Sequence, residues 1–176
     1  MSIIVTGSVA YDYLMSFPGH FHEHIIPDQI ANISLSILVD SMRIQRGGCA
    51  PNIAYNLALL GERPIVMATV GKDFADYRRW LEKAGVDTSA MVEIEDEFTS
   101  SCFINTDQDN NQIVSFYMGA MGYADQLSFH DLDQGSIEMA IISPNAPAAM
   151  TKYARECQEM GIPYIYDPSQ QIVWLS

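Results

Sequence analysis

The chain has 176 residues, with 22 Asp and Glu against 9 Lys and Arg, a formal net charge of −13, 48% hydrophobic and 18% charged residues. That length carries one ordinary domain with a real core, and the charge excludes non-specific binding to nucleic acid or to an anionic membrane surface. No apolar run approaches the ~20 residues that span a bilayer, the first residues show no basic n-region or long apolar h-region, so no secretory signal is expected, and three widely spaced cysteines (Cys49, Cys102, Cys157) argue against a disulfide framework and for a reducing cytoplasm.

Ser2–Thr6 is a β-type apolar run ending at Gly7 and reads as a central parallel strand. Val9–Met15 is a second strand, and Phe17–Asp28, with Pro18, Gly19 and Pro27, reads as a loop. Leu35, Ile37 and Val39, then Met42 and Ile44, alternate with their neighbours, which predicts strands of a two-faced sheet. Pro51–Leu60 switches to helical spacing, with Ile53, Ala54, Leu57 and Leu60 on one face and Gly61 as the stop. Pro64–Val70 is a buried strand ending at Gly71, and Asp73–Ala84 is a helix with Phe74, Tyr77, Leu81 and Ala84 inward, stopped by Gly85. The acidic run Glu93–Glu97 reads as solvated surface. Ser101–Thr106 and Gln112–Met118 flank the turn-rich Asp107–Asn111 and predict a hairpin. Glu138–Ile142 is a strand, Ala148–Met160 a helix with Tyr153, Ala154, Cys157 and Met160 inward, and Pro163–Tyr166 a last strand. The βαβ-like elements predict a parallel α/β layer; the two-faced strands predict a small sheet inserted in two pieces.

Polar residues in this frame mark candidate chemistry. In Gly47-Gly48-Cys49-Ala50-Pro51-Asn52 two glycines precede a helix, so backbone can approach a ligand and helix N–H groups are expected to be free. Asn52 adds a donor and an acceptor suited to a sugar hydroxyl; a tight turn into a helix is the plainer reading. Asp12, five residues after Gly7, is expected at the C-terminal edge of the parallel sheet, where a carboxylate can accept from two adjacent hydroxyls, or else serves as a surface turn aspartate. Asn145 and Asp167 follow strands and belong to the same edge, unless they are helix caps or turn formers. Phe116, Tyr117 and Met118 offer stacking surface, although strand alternation sends at least one of them into core packing. His20, His22 and His24 would share a face on a strand and hold a metal; a polar loop is the plainer reading, and no metal site is expected. Cys49 reads as a small packed residue rather than a nucleophile.

The segment Gly47–Gly71 resembles the first signature of the ribokinase/PfkB family of carbohydrate and nucleoside kinases. Gly47, Gly48, Ala50, Asn52, Ala54, Gly61 and Gly71 satisfy every position of that signature, and Lys83-Ala-Gly-Val-Asp87 is similar to the family's usual helix ending. GSVAYD near the start and DNNQIVSFYMGAM at 109–121 most resemble bacterial adenosine-kinase-like members.

The resemblance implies a ribokinase-like three-layer α/β/α sandwich with a small β-sheet lid, the core comprising 1–12, 47–95 and 119–176 and the lid 13–46 and 96–118. It implies that Asp12, Gly47, Gly48, Asn52 and Asn145 contact a nucleoside or sugar and that Phe116 and Met118 cover it. It implies ATP and Mg2+ as the phosphate donor and its ion. The exposed edges of the lid sheet separately offer pairing with a second copy, a homodimer, as one arrangement. Relatives carry their catalytic aspartate in a later glycine-alanine-glycine-aspartate turn, absent from residues 1–176. The catalytic aspartate is therefore expected beyond Ser176, and the chain reads as the substrate-binding half of a kinase, inactive alone. A non-catalytic nucleoside-binding or dimerising module is the alternative.

Overall fold

A computed structural model describes residues 2–25, 33–132, 137–169 and 172. Ser176, past which the sequence reading puts the catalytic aspartate, lies outside the described residues. Most of the predicted segments correspond to elements. The first sheet contains β1 (Ser2–Thr6), β4 (Ile65–Gly71), β5 (Met91–Ile94), β8 (Ile137–Ile142) and β9 (Tyr164–Tyr166), in the order β5-β4-β1-β8-β9. All its pairings are parallel, and β1 lies at its centre. The helices that connect these strands are α2 (Cys49–Leu59), α3 (Ala75–Lys83) and α4 (Pro147–Met160).

The sheet is covered on both faces because its strands are apolar on both faces. Successive residues of one strand feed opposite cores: Ile4 packs with Met67, Ala140 and Ile142 against α4 through Met150, Tyr153 and Cys157. Val5 packs with Val66, Ala68 and Val70 against α2 through Ala54, against α3 through Tyr77 and Leu81, and against Phe74 just before α3. The three-layer order follows from that alternation. β5, an edge strand, and the 3-10 segment Gly119–Gln126 are additions that the sequence pattern did not announce. β5 takes in Glu93, so the acidic run begins on a strand and not on plain surface.

The second sheet contains β2 (Ala10–Ser16), β3 (Ser41–Gly47), β6 (Ser100–Thr106) and β7 (Gln112–Tyr117), in the order β3-β2-β6-β7. The β2–β6 pair is parallel and the β3–β2 and β6–β7 pairs are antiparallel. Two expectations fail here. Leu35–Val39 keeps the predicted alternation of half-buried and exposed residues but forms no strand, because no neighbouring strand among the described residues pairs with it. The predicted loop after β2 contains a helical turn, α1 (Phe21–His24); residues 26–28 of that loop lie outside the described residues.

The β6–β7 turn is built on one carboxylate. Asp107 accepts from the backbone N–H groups of Asp109, Asn111 and Phe21 and from the Asn111 amide, at 2.8–3.0 Å. Burial alone would raise its pKa, but these hydrogen bonds outweigh it and hold the carboxyl down at about 2. A depressed carboxyl stabilises the fold above its unfolded value of 3.8, and that contribution disappears as the pH falls through about 2. The melting temperature of Asp107→Asn is therefore expected to lie below that of the wild type at pH 6, with the gap narrowing between about pH 4 and pH 2. A gap that stays constant with pH would show that the charge of Asp107 is not what anchors the turn.

Candidate functional site

Where β2, β3 and α2 meet, the backbone is packed closely enough to exclude side chains. β2 and β3 pair in register, Ala10 opposite Gly47 and Asp12 opposite Gln45. Gly48, the residue before α2, has φ 97°, and a Cβ there would stand 2.7 Å from Val9 Cα and 2.8 Å from Ala10 N. A Cβ on Gly47 would stand 2.8 Å from Asp12 Cγ. The Asp12 carboxylate thus lies directly over the Gly47 backbone, so a side chain on Gly47 would push it aside, while Gly48 has no room for one. The Gly47 carbonyl is fixed from behind by the Tyr77 hydroxyl, which donates to it at 3.0 Å in a buried bond. Burial raises the pKa of that phenol, helped by Tyr11.

Asp12 itself is placed differently from the sequence expectation. The chain turns after β1 and starts β2 at Ala10, so Asp12 sits within the second sheet rather than at the C-terminal edge of the first. Asn145 and Asp167 do follow β8 and β9 at that edge. The segments are nonetheless stitched together: Ser8 N–H donates to Pro144 O at 2.8 Å, and Ser8 accepts from α2.

That last contact corrects a second expectation. Cys49 N–H donates to Ser8 Oγ at 3.1 Å, Ala50 N–H donates to the Ser8 carbonyl at 3.2 Å, and Pro51 has no N–H. The N–H groups of Cys49 and Ala50 are therefore taken within the fold, and Pro51 offers none. The arrangement offers a carboxylate acceptor and closely approachable backbone, which suits a neutral hydroxylated molecule and not a phosphate.

On the sheet face that carries Asp12, the register places Cys102 beside it on β6 and Phe116 opposite Cys102 on β7. Residues paired across adjacent strands share a face, so Asp12, Cys102 and Phe116 form a row. Burial raises the Asp12 carboxyl above its usual value. Burial also raises the Cys102 thiol, with Asp12 adding to the shift. Phe116 is 51% exposed and Met118 43%, both large apolar groups left open to solvent. Met118 has left the strand, with helical φ −70° and ψ −39°, and its carbonyl accepts from Ser100 Oγ at 2.8 Å. Asn52 lies exposed in the first turns of α2, its carbonyl accepting from the Asn56 amide at 2.7 Å.

Asn145 is 1% exposed. Its Oδ1 accepts from Ala146 N–H at 2.8 Å, while its Nδ2 has no partner among the described residues. An unpaired buried amide donor costs about 1–3 kcal/mol, so it needs a reason to be there. The sequence missed Cys102, Tyr77 and Ser8 as parts of this region. A strand-register argument for β2 and β6 would have found Cys102, but that register is a tertiary fact. A cavity of about 570 Å3 lies elsewhere, between Ser2, Gly61, Arg63, Ile65 and Asp87 at the opposite ends of the strands, and none of the residues above lines it.

Comparison with known proteins gives this geometry a context. The chain is 30% identical over 175 residues to a nucleoside kinase of Methanothermobacter thermautotrophicus, covering 97% of this chain and 52% of that protein. It superposes on the Burkholderia thailandensis nucleoside kinase in complex with inosine with a TM-score of 0.81 and 35% identity, covering 99% of this chain and 54% of that one. The Methanocaldococcus jannaschii nucleoside kinase, an archaeal member of the ribokinase family, gives a TM-score of 0.82 at 28% identity, over 99% and 55%. The fold is ribokinase-like, and the chain spans about half the length of the curated relatives it matches. With residues 9–173 matching the family's model, the chain belongs to the pfkB family of carbohydrate kinases.

Proposed function

We propose that this chain is the substrate-binding part of an ATP-dependent kinase that phosphorylates a hydroxymethyl group of a nucleoside or sugar. The observation that carries the reading is the Asp12 carboxylate poised over side-chain-free Gly47, at a helix start where Cys49 and Ala50 N–H are already used. Asp12 accepts hydrogen bonds from two neighbouring hydroxyls of the ligand; Gly47 and Gly48 let the sugar approach the backbone, and Asn52 offers a further donor and acceptor. The unpaired Asn145 Nδ2 donates to another ligand oxygen, which offsets the cost of burying it. Phe116 and Met118 lie over the base or sugar and exclude water as the second sheet, the lid, closes. The second sheet that takes the lid role reaches back to Ala10 and takes in Gly47, which the expected division, with the lid at 13–46 and 96–118 and the core at 1–12, 47–95 and 119–176, left in the core. A kinase bound to inosine among the relatives favours a nucleoside over a free sugar.

ATP and Mg2+ would supply the phosphoryl group and neutralise its charge. Among the described residues, Cys49 and Ala50 at the start of α2 already spend their N–H groups on Ser8 and Pro51 has none, so this helix start is not assigned to the phosphates. No residue of this chain is therefore assigned to the phosphates, to the ion or to proton abstraction. The expected result is saturable inosine binding by calorimetry with no ATP-dependent phosphorylation of inosine, adenosine or ribose by the 176-residue chain alone. Turnover by that chain would overturn the division of labour, and absence of nucleoside and sugar binding would overturn the reading as a whole.

The second reading, a non-catalytic dimerising module, rests on the edge strands of the second sheet, where Met42, Ile44, Ile113 and Val114 are exposed. A sedimentation profile that stays monomeric at high concentration would remove it. The free thiols of Cys49, Cys102 and Cys157 favour a reducing, cytoplasmic setting. No helix among the described residues is long and apolar enough to cross a membrane.

A further inference from the structure

Three side chains converge at the tip of the second sheet, beyond Ser16 and Thr106 and away from Asp12. His20, just before α1, places Nδ1 2.8 Å from Asp109 Oδ2. His22, inside α1, places its Nδ1 3.8 Å from the same oxygen. The three ligand atoms lie within 4.8 Å of one another, and the two imidazole centroids are 5.3 Å apart. Two donors held tetrahedrally at ~2.0–2.1 Å from one ion stand ~3.3–3.4 Å apart, a spacing that falls within the observed range.

The backbone beneath these groups is already fixed. The Asp107 carboxylate accepts from both Phe21 N–H, between the two histidines, and Asp109 N–H, at 3.0 and 2.9 Å. Gln108 N–H donates to Gly19 O at 3.1 Å and its side chain donates to Pro18 O at 3.0 Å. One buried acid thus sets the position of both histidines and the aspartate before any ion arrives. His24 does not take part: its ring meets Phe17 edge-on at 5.3 Å. The alternating histidines of the sequence are therefore not the ligand set; the helical turn turns His24 away and the hairpin supplies a carboxylate in its place.

We propose that His20, His22 and Asp109 bind one divalent transition-metal ion of the Zn2+, Ni2+ or Cu2+ class. Two imidazole nitrogens and one carboxylate match borderline-soft ions and leave positions for water, whereas Mg2+ prefers an all-oxygen octahedron. The bound ion cross-links the β2–α1 connection to the β6–β7 turn and stiffens the tip of the second sheet. This site is independent of the kinase reading.

The plainer role for these residues is a His20–Asp109 hydrogen bond alone, and His22 separates the two. At 3.8 Å it adds no hydrogen bond to Asp109, so His22→Ala spares that contact and removes a ligand. Calorimetric titration of the chelator-stripped protein with Ni2+, and in parallel with Zn2+, is expected to show one saturable site per chain, with Mg2+ giving no comparable heat. Groups that merely orient a ligand change metal affinity by about 10–100-fold, so His22→Ala and Asp109→Asn are each expected to weaken binding by at least about tenfold. His24→Ala is expected to leave it unchanged. Co2+ is expected to broaden the ring proton signals of His20 and His22 most strongly and to spare that of His130, a readout that needs only the wild type. Unchanged affinity in His22→Ala, uniform broadening of all four histidines, or no saturable uptake would overturn the proposal.

Discussion

Asp12→Ala is expected to weaken nucleoside binding by about 10–150-fold, the 1.5–3 kcal/mol of hydrogen bonding to a charged group. Asp12→Asn, which keeps the shape and one acceptor, falls between this variant and the wild type. The same substitution separates function from stability. Burial raises the Asp12 carboxyl, so its charged form is disfavoured in the empty protein. An acid raised in this way opposes folding once the pH exceeds its unfolded value of 3.8. Asp12→Asn is therefore expected to melt no lower than the wild type at neutral pH while binding inosine more weakly. Wild-type affinity is expected to fall as the pH drops towards the raised pKa, and that of Asp12→Asn to stay flat. Calorimetry at several pH values and a melting curve check both halves. Equal inosine affinity in the two proteins at pH 7 would remove Asp12 from the ligand.

Gly48→Ala is expected to cost more stability than Asp107→Asn or any substitution of Asp12. The residue sits at φ 97°, a region that L side chains rarely adopt, and its Cβ would press on the backbone of Ser8, Val9 and Ala10, which has no flexible side-chain end to yield. Strain and overpacking are each worth about 1–3 kcal/mol, so the pair is expected to cost about 3 kcal/mol or more. In a chain of this size that lowers the melting temperature by about 6–12 °C. Gly61→Ala provides the control. Its φ is 95°, but nothing lies within 4 Å of a Cβ there, so only the strain of about 1–2 kcal/mol remains. Equal melting temperatures for the two variants would show that the approach of α2 to β2 is not close.

The sequence by itself determined the local elements and the layer they form. Apolar runs such as Ser2–Thr6 and Pro64–Val70, the helical spacing after Pro51, and the hairpin about Asp107–Asn111 depend on neighbours a few residues apart, and period and turn chemistry are local properties. The ribokinase-like fold was legible for the same reason, because the glycines and asparagine of its signature lie within one short segment. What only the tertiary structure decided lies across long loops. Asp12 and Asn145 were visible as candidates, but the move of Asp12 into the second sheet depends on where β2 finds its partners. The capping of α2 by Ser8, 41 residues from Cys49, removed donors that the sequence had left free. Leu35–Val39 has a strand's alternation and no strand, because a ladder needs a second chain segment beside it. His20 and Asp109 are 89 residues apart, and nothing in either neighbourhood announces the other. Such pairings come from closing loops around a common core, a cost met only when the whole sheet assembles, so no short stretch of sequence records them.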